Sequence, residues 1–97
     1  PVLSCSVPAP RGAGHQITTL EGVQEEAAEF SDYLANEGAD QCGYCSPGLI
    51  MNVLALKREI SNPTMAQIKE YLSGNLCRCT GYQGQYRALA KYFGVEE

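Results

Sequence analysis

The stretch "QCGYCSPG", residues 41–48, sets two cysteines two residues apart, directly before a Ser-Pro step that reads as the start of a helix. Ser46 is a good N-cap, and Pro47 suits the first helical position, where its missing N–H costs nothing. What Cys42 and Cys45 do at that point decides the fold: they form a redox disulfide, half of a zinc site, or half of an iron–sulfur site. A second stretch, "GNLCRCTGY", residues 74–82, carries Cys77 and Cys79 and also leads into a helical pattern. Helix N-termini present unpaired N–H groups and a positive dipole end, which favour a thiolate over a thiol. If the two helices begin at the same end of the molecule, four thiols converge on one point.

The rest of the chain supplies those helices. Val23, Ala27, Phe30 and Leu34 recur at spacings of three and four and predict a first helix over about 23–36, stopped by Gly38. The second, after Ser46, turns Leu49, Ile50, Val53, Leu54 and Leu56 inward and ends near Ile60. Asn62-Pro63 breaks it. Thr64-Met65-Ala66-Gln67 then reads as a capping box opening a third helix, with Met65, Ile68, Tyr71 and Leu72 buried and Gly74 as its stop. A fourth runs from about Gly81 to Phe93, with Tyr82, Tyr86, Leu89, Ala90 and Phe93 on one face. Four short amphipathic helices with short connections predict an all-α fold, a small four-helix bundle.

Composition narrows the function classes. Ninety-seven residues suit one small domain, and 44% hydrophobic residues are enough for a core. The formal charge is −4 and the basic residues are scattered, which argues against a nucleic-acid partner. No apolar run reaches the roughly 20 residues of a membrane span, and no leader is expected from the opening residues. Five cysteines are an odd count for a closed disulfide set, so a cytoplasmic metal or redox role is the expectation. Residues 1–20, with Pro8, Pro10, Gly12 and Gly14, read as a loop without a core. The opening Pro1-Val2-Leu3 lacks an initiator methionine, as in a processed or partial product.

Three chemistries compete for the cysteines. A thioredoxin-like disulfide explains Cys42 and Cys45, but that motif belongs to a strand–helix setting and leaves Cys77 and Cys79 unused. Four cysteines can close a tetrahedral zinc site, giving a zinc-stapled helical adaptor for a protein partner. Four thiolates are also what a [2Fe–2S] cluster needs, two per iron. Spacing alone leaves zinc and iron–sulfur both open.

The residues beyond the cysteines go further. "QCGYCSPG" followed by "GNLCRCTGY" across a proline-broken helical hairpin closely resembles the iron–sulfur subunit of the molybdenum hydroxylases, the xanthine oxidase family. The resemblance implies that residues 21–97 are that subunit's helical [2Fe–2S]-binding domain. It makes residues 1–20 the tail of an upstream ferredoxin-like domain and linker. It implies Cys42, Cys45, Cys77 and Cys79 as the ligands, and places Gln41 and Cys79 near a molybdopterin held by a large partner protein. Electrons would pass singly from molybdopterin toward a second [2Fe–2S] cluster and then to FAD on a medium partner subunit. Cys5, in "VLSC", would be the fourth ligand of that second cluster if the upstream part is present. The chain alone is not expected to be catalytic.

Two departures from the family pattern stand out. Ser46 replaces the usual threonine before Pro-Gly, and Gln85 stands where an aliphatic residue is common, so the fourth helix is expected to pack differently there. The remaining candidates have plain readings. His15 is an exposed loop histidine. Arg78 offsets cluster charge or faces solvent, and Tyr44 and Tyr82 shield the site or join the core. Glu25, Glu26 and Glu29 form a solvated face at a helix start.

Overall fold

The computed structural model describes residues 1–96, so the last residue of the expected 21–97 domain, Glu97, lies outside the described residues. Four helices form: α1, Gln24–Asn36; α2, Ser46–Glu59; α3, Met65–Tyr71; and α4, Gln83–Phe93. No strand occurs among the described residues, and the fold is all-α. α1 packs against α2 and α4, and α3 packs against the same two helices, which closes a four-membered ring.

The apolar spacing accounts for the core. Ala27, Phe30 and Leu34 of α1 are buried, as are Leu49, Ile50, Val53, Leu54 and Leu56 of α2. A single-turn 3-10 helix, Leu20–Val23, leads into α1 and sends Val23 to the same core. Phe30, Val53, Leu56, Ile68 and Leu89 are wholly removed from solvent, each contributing about 1.5–3 kcal/mol by transfer. Phe30 meets Tyr92 edge-on at 5.0 Å between ring centroids, and Tyr33 meets the same ring at 5.5 Å. α3 opens with the expected capping box: the Gln67 N–H donates to Thr64 Oγ1, and the Thr64 N–H donates to Gln67 Oε1.

Three expectations change. On α3, Tyr71 is only half-buried, its hydroxyl donating to Glu59. On α4 the buried line is Gln85, Ala88, Leu89 and Ala90, together with Gly84, while Tyr82, Tyr86 and Phe93 are only half-buried. Small residues let the helix approach its neighbours, and the large aromatics lie along the rim of the contact. A Cβ on Gly84 would stand 3.2 Å from the Glu37 carbonyl and 3.3 Å from Ala39 Cβ, so α4 rests directly on the turn that ends α1. At the start of α2 the helix begins at Ser46 itself and Cys45 takes the N-cap position, without a capping side chain. The Ser46 hydroxyl donates instead to Asp40 Oδ1 at 2.9 Å, tying the helix start to the preceding loop.

Residues 1–19 lie outside this core. Two short 3-10 turns, Ser4–Ser6 and Ala9–Gly12, contain no buried residue. Val2, Leu3 and Ile17 are each more than 70% exposed. His15 is exposed, and Cys5 is an exposed free thiol in the first turn. No helix among the described residues is long and apolar enough to cross a membrane.

Ion pairs fasten the two ends of the chain fold. Glu37, at the end of α1, accepts hydrogen bonds from Lys91 and from Arg87 of α4, the latter at 3.0 Å. Lys91 and then Arg87 hold the Glu37 carboxyl below its ordinary value of 4.5. A depressed carboxyl stabilises the fold fully above that ordinary value and loses its effect as pH falls through the lowered one. Glu37→Gln is therefore expected to lower the thermal midpoint at neutral pH. The gap from the unsubstituted chain narrows only below 4.5; a gap that persisted in more acidic solution would show that the charge is not its source.

Candidate metal centre

Each cysteine pair is placed by the turn before it. α1 ends with Gly38 in the left-handed region, where the Gly38 N–H donates to the Ala35 carbonyl and the Ala39 N–H to the Leu34 carbonyl. This double closure is a Schellman cap. It reverses the chain and buries Ala39, so Asp40 arrives where it can receive Ser46. Between the first two cysteines Gly43 has φ +84°, a conformation that costs glycine little. The turn directs the Tyr44 N–H to Cys42 Sγ at 3.5 Å.

The second pair hangs from a loop that rests on α2. The Asn75 N–H donates to the Leu72 carbonyl at 2.9 Å, extending the end of α3. A Cβ on Gly48 would lie 2.8 Å from Asn75 Oδ1, so the bare Gly48 is what lets this loop reach the first turn of α2. Asn75 Nδ2 is buried and has no hydrogen-bond partner among the described residues. It borders a cavity of about 100 Å³ shared with Ser73, Tyr82 and Gln85.

Past Cys79 the chain makes its most strained turn. Gly81 and Tyr82 are both left-handed, at φ +65° and +69°. For tyrosine this conformation costs about 1–2 kcal/mol. Three hydrogen bonds offset it: the Cys77 N–H donates to Tyr82 Oη at 2.9 Å, the Tyr82 N–H to Thr80 Oγ1 at 3.1 Å, and the Thr80 hydroxyl to Cys77 Sγ at 3.1 Å.

The four thiols approach one another crosswise: Cys77 stands close enough to Cys45, both half-buried, to raise its thiol, and Cys42 stands close enough to Cys79, both exposed, to do the same. All are free thiols, and among the described residues no three His, Cys, Asp or Glu side chains are gathered as ligands for a single ion. Burial, then the Cys77 thiol, pushes Cys45 up from its ordinary value, and contact with Cys42 pushes Cys79 up. Cys77 goes the other way, to about 7, chiefly because the Thr80 hydroxyl and then the Thr80 backbone donate to it. Two thiol pairs, with N–H and O–H donors aimed at the sulfurs, fit a two-iron, four-thiolate centre.

The other sequence candidates fall as follows. Gln41 is exposed beside Cys42, with no capping bond. Tyr44 is 94% exposed, so it neither joins the core nor covers a sulfur. Arg78 is exposed between the two cysteines of its pair. Cys5 lies in the exposed N-terminal turn. Two side chains at the site carried no role in the sequence reading. Thr80 had a signal, as a hydroxyl one residue past a cysteine. Gln85 was visible only as a polar residue in an aliphatic place; its amide stands 3.7 Å from Cys45 Sγ.

Comparison with known proteins agrees with this geometry. The family described as "[2Fe-2S] binding domain" matches residues 19–90. A probable xanthine dehydrogenase subunit of Bacillus subtilis is 45% identical over 89 residues, covering 91% of this chain and 51% of that protein. "Aldehyde oxidase 4" of Cavia porcellus is 43% identical over 86 residues, and "Xanthine dehydrogenase" of Calliphora vicina 36% over 99. These two matches cover 86% and 96% of this chain. The chain thus spans about half the length of the Bacillus protein (51%) and only 6–7% of the two animal proteins.

The close approach at Gly48 supplies a test of how the two loops are joined. Gly48→Val should push the Asn75 loop off α2, separate Cys77 from Cys45, and destabilise the fold by about 1–3 kcal/mol. Iron bound per chain is expected to fall with it. Gly74→Ala, at a position with nothing within 4 Å, should change neither. Equal iron content in the two variants would show that the loop contact does not set the site.

Proposed function

The chain belongs to the family of [2Fe–2S]-binding domains, and from that premise we propose that Cys42, Cys45, Cys77 and Cys79 hold its cluster and that the chain relays single electrons within a molybdenum-containing hydroxylase. The observation that carries the reading is the crosswise approach of the two cysteine pairs, one from the loop before α2 and one from the loop before α4. Supporting it are the relatives whose names are those of xanthine dehydrogenases and aldehyde oxidases.

A bound [2Fe–2S] centre supplies one-electron chemistry, taking up or giving away one electron at a time. The residues do the rest. The loops that lead into α2 and α4 bring two thiols each, with Cys45 at the N-cap of α2. Thr80 and the Tyr44 backbone donate to sulfur, which stabilises negative charge there. Cys45 and Cys77 form the sheltered side of the site, and Cys42 and Cys79 the exposed side. Gln41 and Cys79 belong to that exposed side, where a molybdopterin on a large partner subunit would approach. Electrons would leave toward a second [2Fe–2S] cluster and on to FAD on a medium subunit, all in the cytoplasm.

In the same reading residues 1–20 are the end of a ferredoxin-like domain, and Cys5 completes the second cluster when the rest of that domain is present. The uncovered apolar side chains of Val2, Leu3 and Ile17 are what such a tail would bury against its own domain. Catalysis and substrate choice belong to the partner that holds molybdenum.

The first experiment is a visible spectrum of the purified protein with iron and acid-labile sulfide counted. About two of each per chain, with strong visible absorption, is the expected result. Cys42→Ser and Cys77→Ser should each lose the colour and destabilise the bundle, since ligands from two loops are tied through one centre. Cys5→Ser should keep it. A colourless protein holding one zinc would overturn the relay reading in favour of a zinc-stapled adaptor.

A further inference from the structure

We propose that Gln85 tunes the centre held at Cys45: its side-chain amide donates an N–H to the Cys45 sulfur and makes the centre easier to reduce than an aliphatic residue in its place would. This rests on the assignment of Cys45 as a cluster ligand.

Gln85 is 3% exposed, and among the described residues it is the buried polar side chain of an otherwise apolar core. Burying an unpaired amide is costly, whereas Leu or Ile in the same place would carry no such cost. The bond that offsets it runs to Cys45 Sγ at 3.7 Å, within reach for a sulfur acceptor, and joins residues 40 apart in sequence. The surroundings hold the amide there. Its neighbours on the same face of α4, Ala88 and Leu89, are fully buried, and Gly84 presses the first turn of the helix onto the end of α1.

The direction of the effect follows from what a ligating sulfur is. A ligated Cys45 has no proton, so it can only accept, and the amide must present its NH₂ group. Reduction adds one electron to the centre; no bond breaks and no proton moves. The added negative charge spreads onto the thiolate sulfurs, where a donor stabilises it more than it stabilised the oxidised form. Removing the donor therefore leaves the oxidised form relatively favoured. A residue retained only to fill space would show no such asymmetry, because Met fills nearly the same volume.

The test is a potentiometric titration of the cluster-loaded full chain, with dithionite as reductant, read by visible bleaching and by electron paramagnetic resonance. In Gln85→Met and Gln85→Leu reduction should become up to tenfold less favourable, which for one electron is about 59 mV lower in potential. Gln83→Met, on the exposed side of the same helix turn, should leave the potential where it was. Full iron content with an unchanged potential in Gln85→Met would overturn the proposal and leave the ligand assignment standing. Full iron content in Cys45→Ser would instead overturn the assignment on which it rests. If Gln85→Met takes up no cluster, the chain with Gln85 intact decides. With glutamine side chains labelled with ¹⁵N and Gln41 changed to Met, pulsed resonance of the reduced centre should show a ¹⁵N coupling. Absence of that coupling would overturn the proposal.

Discussion

The thiol end of the molecule depends on one contact, the first turn of α2 against the Asn75 loop that leads into α4. Three features at that contact serve the same placement. Gly48 leaves room for the Asn75 loop, Cys77 stands near enough to Cys45 to raise its thiol, and Gln85 reaches Cys45 from α4. None of these groups is close in sequence to its partner. The contact is held from behind by the hydrophobic ring, since α1 packs against both helices and Leu49 and Leu89 are both buried in the common core. The bundle thus sets the distance between the two loops before any metal binds. A centre that bridges the loops adds its binding free energy to a fold already near the right geometry.

That geometry carries a local cost, visible at Tyr82. Two successive left-handed residues are an unusual way to enter a helix, and only the first of them is glycine. A glycine at position 82 would remove the strain, but it would also remove the phenol that receives the Cys77 N–H. Thr80 closes the same small network from the other side, receiving the Tyr82 N–H and donating to Cys77 Sγ. Strain in the turn and orientation of the sulfur are therefore two aspects of one arrangement. Backbone strain of this kind persists where surrounding bonds over-determine it.

Most of this fold was legible because helices announce themselves by period. The spacing of Val23, Ala27, Phe30 and Leu34, and the dense apolar face of α2, are both buried as read. The Thr64 capping box was legible for the same local reason: its two bonds close within four residues. What escaped was governed by partners distant in sequence. Ser46 looks like an N-cap in isolation, but Asp40 draws its hydroxyl away and leaves that position to Cys45. The face of α4 was misjudged because large aromatics outweigh alanine and glycine in a hydrophobic pattern, while close helix approach selects the small residues. The four cysteines stood out from their spacing and setting. Their crosswise pairing could not, because Cys-x-x-Cys and Cys-x-Cys suggest pairing within each motif. Gln85 was recognised as a departure, but sequence gives no direction to a side chain, and only the placement of α4 turns it toward a sulfur.

The donors at the site fall into two kinds, and the difference bears on how such a domain can be adjusted. On the exposed side, Cys42 receives a backbone N–H from Tyr44, a bond fixed by the Gly43 turn and indifferent to the side chain at position 44. On the sheltered side, where the Thr80 backbone also donates to Cys77, side-chain donors are added: Thr80 to Cys77 and Gln85 to Cys45. A backbone donor cannot be removed without rebuilding the loop that also positions a thiol. A side-chain donor can be lost or gained by one substitution while the helices stay in place. Donors in the sheltered half are also worth more, since the lower local dielectric strengthens each bond to a charged sulfur. The half of the site turned toward solvent is therefore constrained by its backbone. The half turned toward the core is where, on the proposed ligand set, single residues would alter the electronic properties of a bound centre while the cysteines stay in place.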